Sequence, residues 1–404
     1  MQIYINGKAA RQNGDNMDRF SIAVAQSGGP TAAVNSSLAG VFRAASLCPA
    51  IDNIYGAING IEGMIGDELA DLRRIITSDE DISLLRTTPS TLLGSCRYKL
   101  PPKEQSGNDY IKIVNTLDKH NIKALFYIGG IGSMDAVVKL DEYFRAVGKD
   151  IRVIGIPKSS DNDIPVTDHC PGFGSAAKYA AATIQEITRD SRVYSTQSIT
   201  VIETMGSRTG WLAASSCTLH ANGESAPHLI YIPEAGFSDE KYLHDTAEMI
   251  KHYRAVITAV SEGVCGSEKS AAEHLERITA EKFGCKVRSV KLNVMQRCSS
   301  HISSLTDLDE AYDIGAAALD AANRGESGVM MAFRRIHGEQ YRIEIFTEPA
   351  VNCVGKIKHF PAEWINESKN GVTAEAVDYF LPLIKGEPVI RYENGIPVHF
   401  RATQ

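Results

Sequence analysis

The chain has 404 residues, 43% of them hydrophobic, and carries 42 lysines and arginines against 49 aspartates and glutamates, a formal charge of −7. That length suits one large α/β unit or two ordinary domains with a well-buried core. An acidic balance with both signs interleaved lacks the dense basic field of a nucleic-acid surface, and no apolar run reaches the roughly 18 residues needed to span a bilayer.

The opening "MQIYINGKAARQNGDNMDRF" has no signal-type apolar stretch and reads as a polar lead-in over residues 1–19. Eight cysteines stand singly at 48, 96, 170, 217, 265, 285, 298 and 353, with no C-x-x-C pair. Free thiols in a reducing cytoplasm fit this pattern better than a disulfide framework or a zinc site. From Ser21 the chain alternates short β-branched runs with helical composition. "SIAVA" precedes "QSGGPTAAVNSSLAGVFRAA", "ALFYI" precedes "GGIGSMDAVVKLDEYFRAV", and "RVIGI" leads to "GSAAKYAAATIQEI". Further strands are predicted at "SITVIE", "HLIYIP", "AVITAVS", "VKLNVM" and "GVMMAF". A helix is predicted from an N-cap at Thr306, with Asp309 three residues on and a stop at Gly325. The C-terminal part reads as a helix followed by extended chain.

Strands alternating with helices predict the α/β class, with parallel sheets covered on both faces. The number of strands predicts two sheets, and the lack of a Pro/Ser-rich linker predicts a tight cleft between them. Ligands in such folds bind beyond the carboxyl ends of strands, where the glycine-rich turns fall. Gly28 and Gly29 follow one strand and open a helix, so their amides and the helix dipole could cradle a phosphate; a plain tight turn is the competing reading. Gly129, Gly130 and Gly132, with Ser133, repeat the arrangement. Arg97 and Lys99 in "LLGSCRYK" add cations, the arginine fork being suited to phosphate oxygens. The densest stretch is "IGIPKSSDNDIPVTDHCPGFGSAAKY", Ile154 to Tyr179, where Lys158, Asp161, Asp163 and Asp168 crowd a strand end. Phosphoryl transfer needs an anion frame and a group to accept the acceptor hydroxyl's proton, and Asp161 or Asp163 could be that base. A turn capped by two Asx residues is the alternative. Glu234 and Arg297 sit at later strand ends, where a sugar phosphate could be gripped.

Taken together, "SGGPTAAVN", "GSCRYK", "YIGG-GSMD", the block around "DND", "E-MG---GWLAA", "IPE", "SEG" and "QRC-SHI" resemble the phosphofructokinases, most of all their pyrophosphate-dependent branch, over nearly the whole chain. The resemblance implies two similar Rossmann-like three-layer α/β domains with the active site in the cleft, in a homodimer or homotetramer. It implies a donor domain over 20–172 and 298–345 and a sugar-phosphate domain over 173–297 and 346–404. The implied reaction moves phosphate from pyrophosphate to the C1 hydroxyl of fructose 6-phosphate with Mg²⁺. By resemblance Asp161 is the general base, Asp163 supports base and metal, and Arg297 steadies transferred charge. Gly28, Arg97, Gly132, Ser133 and Lys158 then face the donor. Ser159, Ser160, Met205, Gly206, Ser207, Glu234, Val294 and Arg297 face the sugar phosphate.

Three departures qualify the resemblance. Ile131 replaces an aspartate that the family places near magnesium, and isoleucine cannot ligate a hard cation; Asp135 is the candidate substitute. Gly132 stands where pyrophosphate users carry an aspartate that crowds out a nucleotide, whereas Lys158 is the pyrophosphate-type residue. Ser207 occupies a usual arginine position, with Arg208 displaced by one. ATP as donor and a non-catalytic sugar-phosphate-binding paralogue are therefore the alternatives.

Overall fold

A computed structural model describes residues 19–266, 270–336, 338 and 340–402. The lead-in expected over 1–19 lies outside them except for Arg19. Eleven strands build two sheets among the described residues: β1 (Phe20–Gln26), β2 (Ile51–Ala57), β3 (Leu69–Asp71), β4 (Ile122–Gly129), β5 (Arg152–Pro157), β6 (Ser198–Thr204), β7 (Leu229–Tyr231), β8 (Ala255–Ser261), β9 (Lys286–Lys291), β10 (Val329–Ile336) and β11 (Arg342–Pro349). The larger sheet runs β11-β10-β5-β4-β1-β2-β3 and the smaller β7-β8-β6-β9. The smaller is parallel throughout, whereas β3 and β11 are antiparallel edges of the larger one.

Alternation within single strands sets the layers. Ile22 and Val24 of β1 point into one core with the Val34–Ser46 and Leu305–Asn323 helices. Ala23 and Ala25 point into the opposite core, against the Ile131–Ala146 helix. Period-two side chains buried on both faces produce the near-continuous apolar runs read in the sequence. The smaller sheet repeats this, with Ile202 on one face and Ile199 and Val201 on the other.

Several boundaries differ from expectation. Only the first two residues of "VKLNVM" are strand: β9 ends at Lys291, Asn293 turns left-handed (φ 44°), and Met295–Cys298 forms a helical turn. The long helix starts at Leu305, one residue before the expected N-cap, because the Ser304 hydroxyl accepts from the Asp307 amide; Asp309 pairs instead with Arg86. β11 continues past residue 345 to Pro349 because its ladder with β10 runs to Val329, and Phe400 returns to the core of the larger sheet. No helix among the described residues is long and apolar enough to cross a membrane.

Candidate active site

Parallel pairing brings the ends of β1, β4 and β5 to one edge, with Gln26 opposite Ile128 and Gly129 opposite Pro157. The turns that follow these three strands touch. The Lys158 amide donates to the Gly129 carbonyl (2.9 Å), Ser27 and Ser133 share a hydroxyl hydrogen bond (2.5 Å), and the buried Lys158 ammonium donates to the Gly29 carbonyl. Gly28 takes φ 75°, and a Cβ there would stand 3.2 Å from Lys158 Nζ. A Cβ on Gly29 would lie 2.7 Å from Arg297 Nη1, so both cations approach the turn closely, and the positive φ at Gly28 favours glycine there. The Gly28 amide is within 3.4 Å of the Cys96 carbonyl, which places exposed Arg97 beside the turn. The two glycine turns thus bring the buried Lys158 ammonium and the Arg297 guanidinium together, cations that can frame an anion.

The turn after β5 carries the carboxylates. Ser159 Oγ donates to Asp163 (2.7 Å) and accepts from the Asp161 amide (3.1 Å), while Ser160 Oγ donates to Asp161 (3.0 Å). Both serines thus hold the turn. Asn162 between the carboxylates is fully buried and left-handed, φ 55°. Its Oδ1 accepts from the Cys170 amide (3.0 Å) and its Nδ2 donates to the Tyr379 hydroxyl (3.0 Å). The turn ends at the Phe173–Ser191 helix, whose N-terminal amides at Gly172 and Ser175 donate to the buried Asp307 carboxylate (2.7 and 3.0 Å). A remote carboxylate therefore caps the helix that leads out of the site.

Burial, then the neighbouring Asp163 charge, raise the Asp161 pKa; Ser160, Lys158 and Arg297 oppose them. Burial lowers Lys158 to about 8, against the pull of Asp161. Mutual perturbation of this kind clusters at functional sites.

The smaller sheet supplies the facing wall. Met205 and Gly206 follow β6, and the Gly206 amide lies 3.2 Å from Glu262, which follows β8; burial raises the Glu262 pKa. Exposed Ser207 makes no reach to the turn, but Arg208 pairs with Asp163 at 3.2 Å, so the displaced arginine does reach the carboxylate turn. Glu234 accepts from the Gly210 amide (3.0 Å) and the Phe360 amide (2.9 Å), which makes it first a clamp on backbone. Val294 is 48% exposed beside Arg297.

Asp135 does not join the carboxylates. One helical turn places Lys139 against it at 2.5 Å, and its charge falls near Tyr110. Ile131 packs on the core of the larger sheet, while a Cβ on Gly132 would meet nothing within 4 Å. Among the described residues no three carboxylate, imidazole or thiol groups converge on a cation. Asp161 and Asp163 nevertheless repel each other, and Mg²⁺ is commonly held by one or two carboxylates with phosphate oxygens completing its shell, so the pair fits such an ion. Glu262, Asn162, Tyr379 and Lys358 carry no role in the sequence pattern, where only "SEG" marks Glu262.

Compared with known proteins, residues 21–322 match the phosphofructokinase family. The chain is 34% identical to a pyrophosphate–fructose 6-phosphate 1-phosphotransferase of Methylococcus capsulatus, covering 92% of this chain and 93% of that one. It is 32% identical to a sulfofructose kinase of Alkalicoccus urumqiensis, covering 86% and 92%. The crystal structure of a pyrophosphate-dependent phosphofructokinase from Nitrosospira multiformis superposes with a TM-score of 0.87 at 34% identity, covering 95% and 97%.

Proposed function

Because this chain belongs to the phosphofructokinase family, and so is a sugar-phosphate phosphotransferase, we propose that it transfers phosphate from pyrophosphate to the C1 hydroxyl of fructose 6-phosphate. The products are fructose 1,6-bisphosphate and inorganic phosphate. The observation that carries this reading is the buried Lys158 ammonium, held between two glycine turns three residues before the half-buried Asp161 carboxylate, whose pKa is raised. A compact cation in that place neutralises a short inorganic donor.

Asp161 accepts the proton of the attacking hydroxyl as its oxygen bonds to phosphorus, and the bond between that phosphorus and the departing phosphate breaks. The raised pKa brings the base nearer neutrality, where proton acceptance is most useful. Arg297 and Lys158 stabilise charge on the transferred group, and the Gly28–Gly29 turn, lacking side chains, lets it approach closely. Mg²⁺ held by Asp163 would neutralise phosphate charge and leave Asp161 to take the proton. Met205, Gly206 and Glu234 line the acceptor side. The relatives named as pyrophosphate users support the donor assignment, and the eight free cysteines suit a reducing cytoplasm.

ATP is the second reading, favoured by the open space at Gly132. A coupled assay with fructose 6-phosphate and pyrophosphate, ATP or neither decides the matter. Turnover with pyrophosphate alone supports the proposal. Turnover with ATP alone replaces it, and no turnover despite sugar-phosphate binding indicates a non-catalytic paralogue.

A further inference from the structure

Residues 358–360, far from every motif in the sequence, bind both walls of the site. The Lys358 amide donates to the Asp163 carbonyl (2.9 Å), and the Lys358 carbonyl accepts from Trp211 Nε1 (2.9 Å). The Lys358 ammonium has three acceptors: Asn162 Oδ1 (2.9 Å), the Thr167 carbonyl (3.1 Å) and the Asp168 carbonyl (2.8 Å). It also stands 5.2 Å from the centre of the Trp211 ring. Two residues on, the Phe360 amide donates to Glu234 (2.9 Å), the carboxylate that also holds the Gly210 amide. Tyr379 adds a second bridge, accepting from Asn162 and donating to the Asp168 carbonyl (2.7 Å).

The turn that these groups hold is strained. Asn162 (φ 55°) and Val166 (φ 64°) both adopt left-handed backbone, which is unfavourable for a β-branched residue. Asparagine tolerates that conformation, but at Val166 it persists only where the surroundings over-determine it. With one ammonium donating to three acceptors and all its protons engaged, nothing remains with which to bind a substrate.

We propose that Lys358 is a positioning residue, the centre of a strap that holds the Asp161–Asp163 turn in its left-handed shape and ties it to Glu234 on the opposite wall. This rests on the phosphotransferase reading for its kinetic consequence, but not for its structural one. Misplacing a catalytic group by about 1 Å costs on the order of 100-fold in rate, so the strap should govern turnover more than affinity.

The test uses the full chain with Lys358→Met and Tyr379→Phe, the second keeping ring packing and charge. For Lys358→Met, kcat should fall about 100-fold while KM for donor and sugar phosphate stays within about threefold. Tyr379→Phe should move the same way by about tenfold, the loss of one bridge rather than the centre. Hydrogen exchange at the Asp161 and Cys170 amides should accelerate in both variants, with the β4 amides unchanged. If Lys358→Met does not fold, Tyr379→Phe carries the comparison. A lower melting temperature with kcat and exchange both unchanged, or a selective rise in KM, overturns the proposal. If the parent protein shows no turnover with either pyrophosphate or ATP, the functional reading fails, and exchange alone still decides whether the strap holds the turn.

Discussion

Lys158 Nζ donates to the carbonyl oxygen of Gly29, so the cation at the end of β5 is bound to the turn that follows β1, two strands away in the sheet. The contact explains why an ammonium can be buried at a strand end: it has a carbonyl partner and opposite charge at Asp161, and a bound anion would complete its shell. It also makes the donor side of the site sensitive to alkali.

Burial lowers Lys158 from 10.5 to about 8, so it is a cation below that pH and neutral above it. The kcat/KM for pyrophosphate should therefore fall by about tenfold per pH unit above pH 8, the slope of a single lost proton. Lys158→Met should show a low kcat/KM with no such slope. pH–rate profiles of the two proteins check this.

Gly132 lies where a side chain would meet open space. Gly132→Asp should fold normally and leave pyrophosphate turnover within about threefold, because its added carboxylate displaces no neighbour. Any turnover with ATP should drop by tenfold or more, on the order of one unfavourable like-charge contact. Parallel kinetics with the two donors read the ratio directly.

His169 is buried between Asp168 (2.8 Å) and Glu310 (2.7 Å), stacked on Phe333, with Arg335 on Asp168 and Tyr341 on Glu310. Burial alone would lower its pKa, but the two carboxylates raise it from 6.5 to about 9. A raised folded-state pKa contributes stability that is complete below the unfolded value and lost as pH rises through the folded one. Thermal stability should decline between pH 6.5 and 9, and His169→Gln should lose that decline along with much of the stability. Melting curves across this range test the sign.

Much of the architecture was legible because β-sheet burial on both faces leaves short apolar runs, and the glycines at their ends have few structural alternatives. β1, β4, β5, β6, β8 and β10 fall where such runs stand. The edges were less so: β3 has only three residues, and β9 carries four charged or polar residues, KVRSVK without its valines, which hide it from an apolar reading. The turn of Lys158, Asp161 and Asp163 stood out because charge so crowded is costly without a partner. Asp135 misled because its spacing on a helix also suits Lys139, and the local pair won. Lys358 was invisible for a different reason. Its partners lie about 190 residues upstream, and only the fold brings them together.

The role of Asp161 is tested most directly by the steady-state kinetics of Asp161→Asn, a near-isosteric change that removes the proton acceptor and also relieves the repulsion with Asp163. With pyrophosphate and fructose 6-phosphate at saturation, kcat should fall by about 10²–10⁴-fold with the sugar-phosphate KM little changed. A variant that retains kcat within about threefold of the parent would show that this carboxylate does not take the proton.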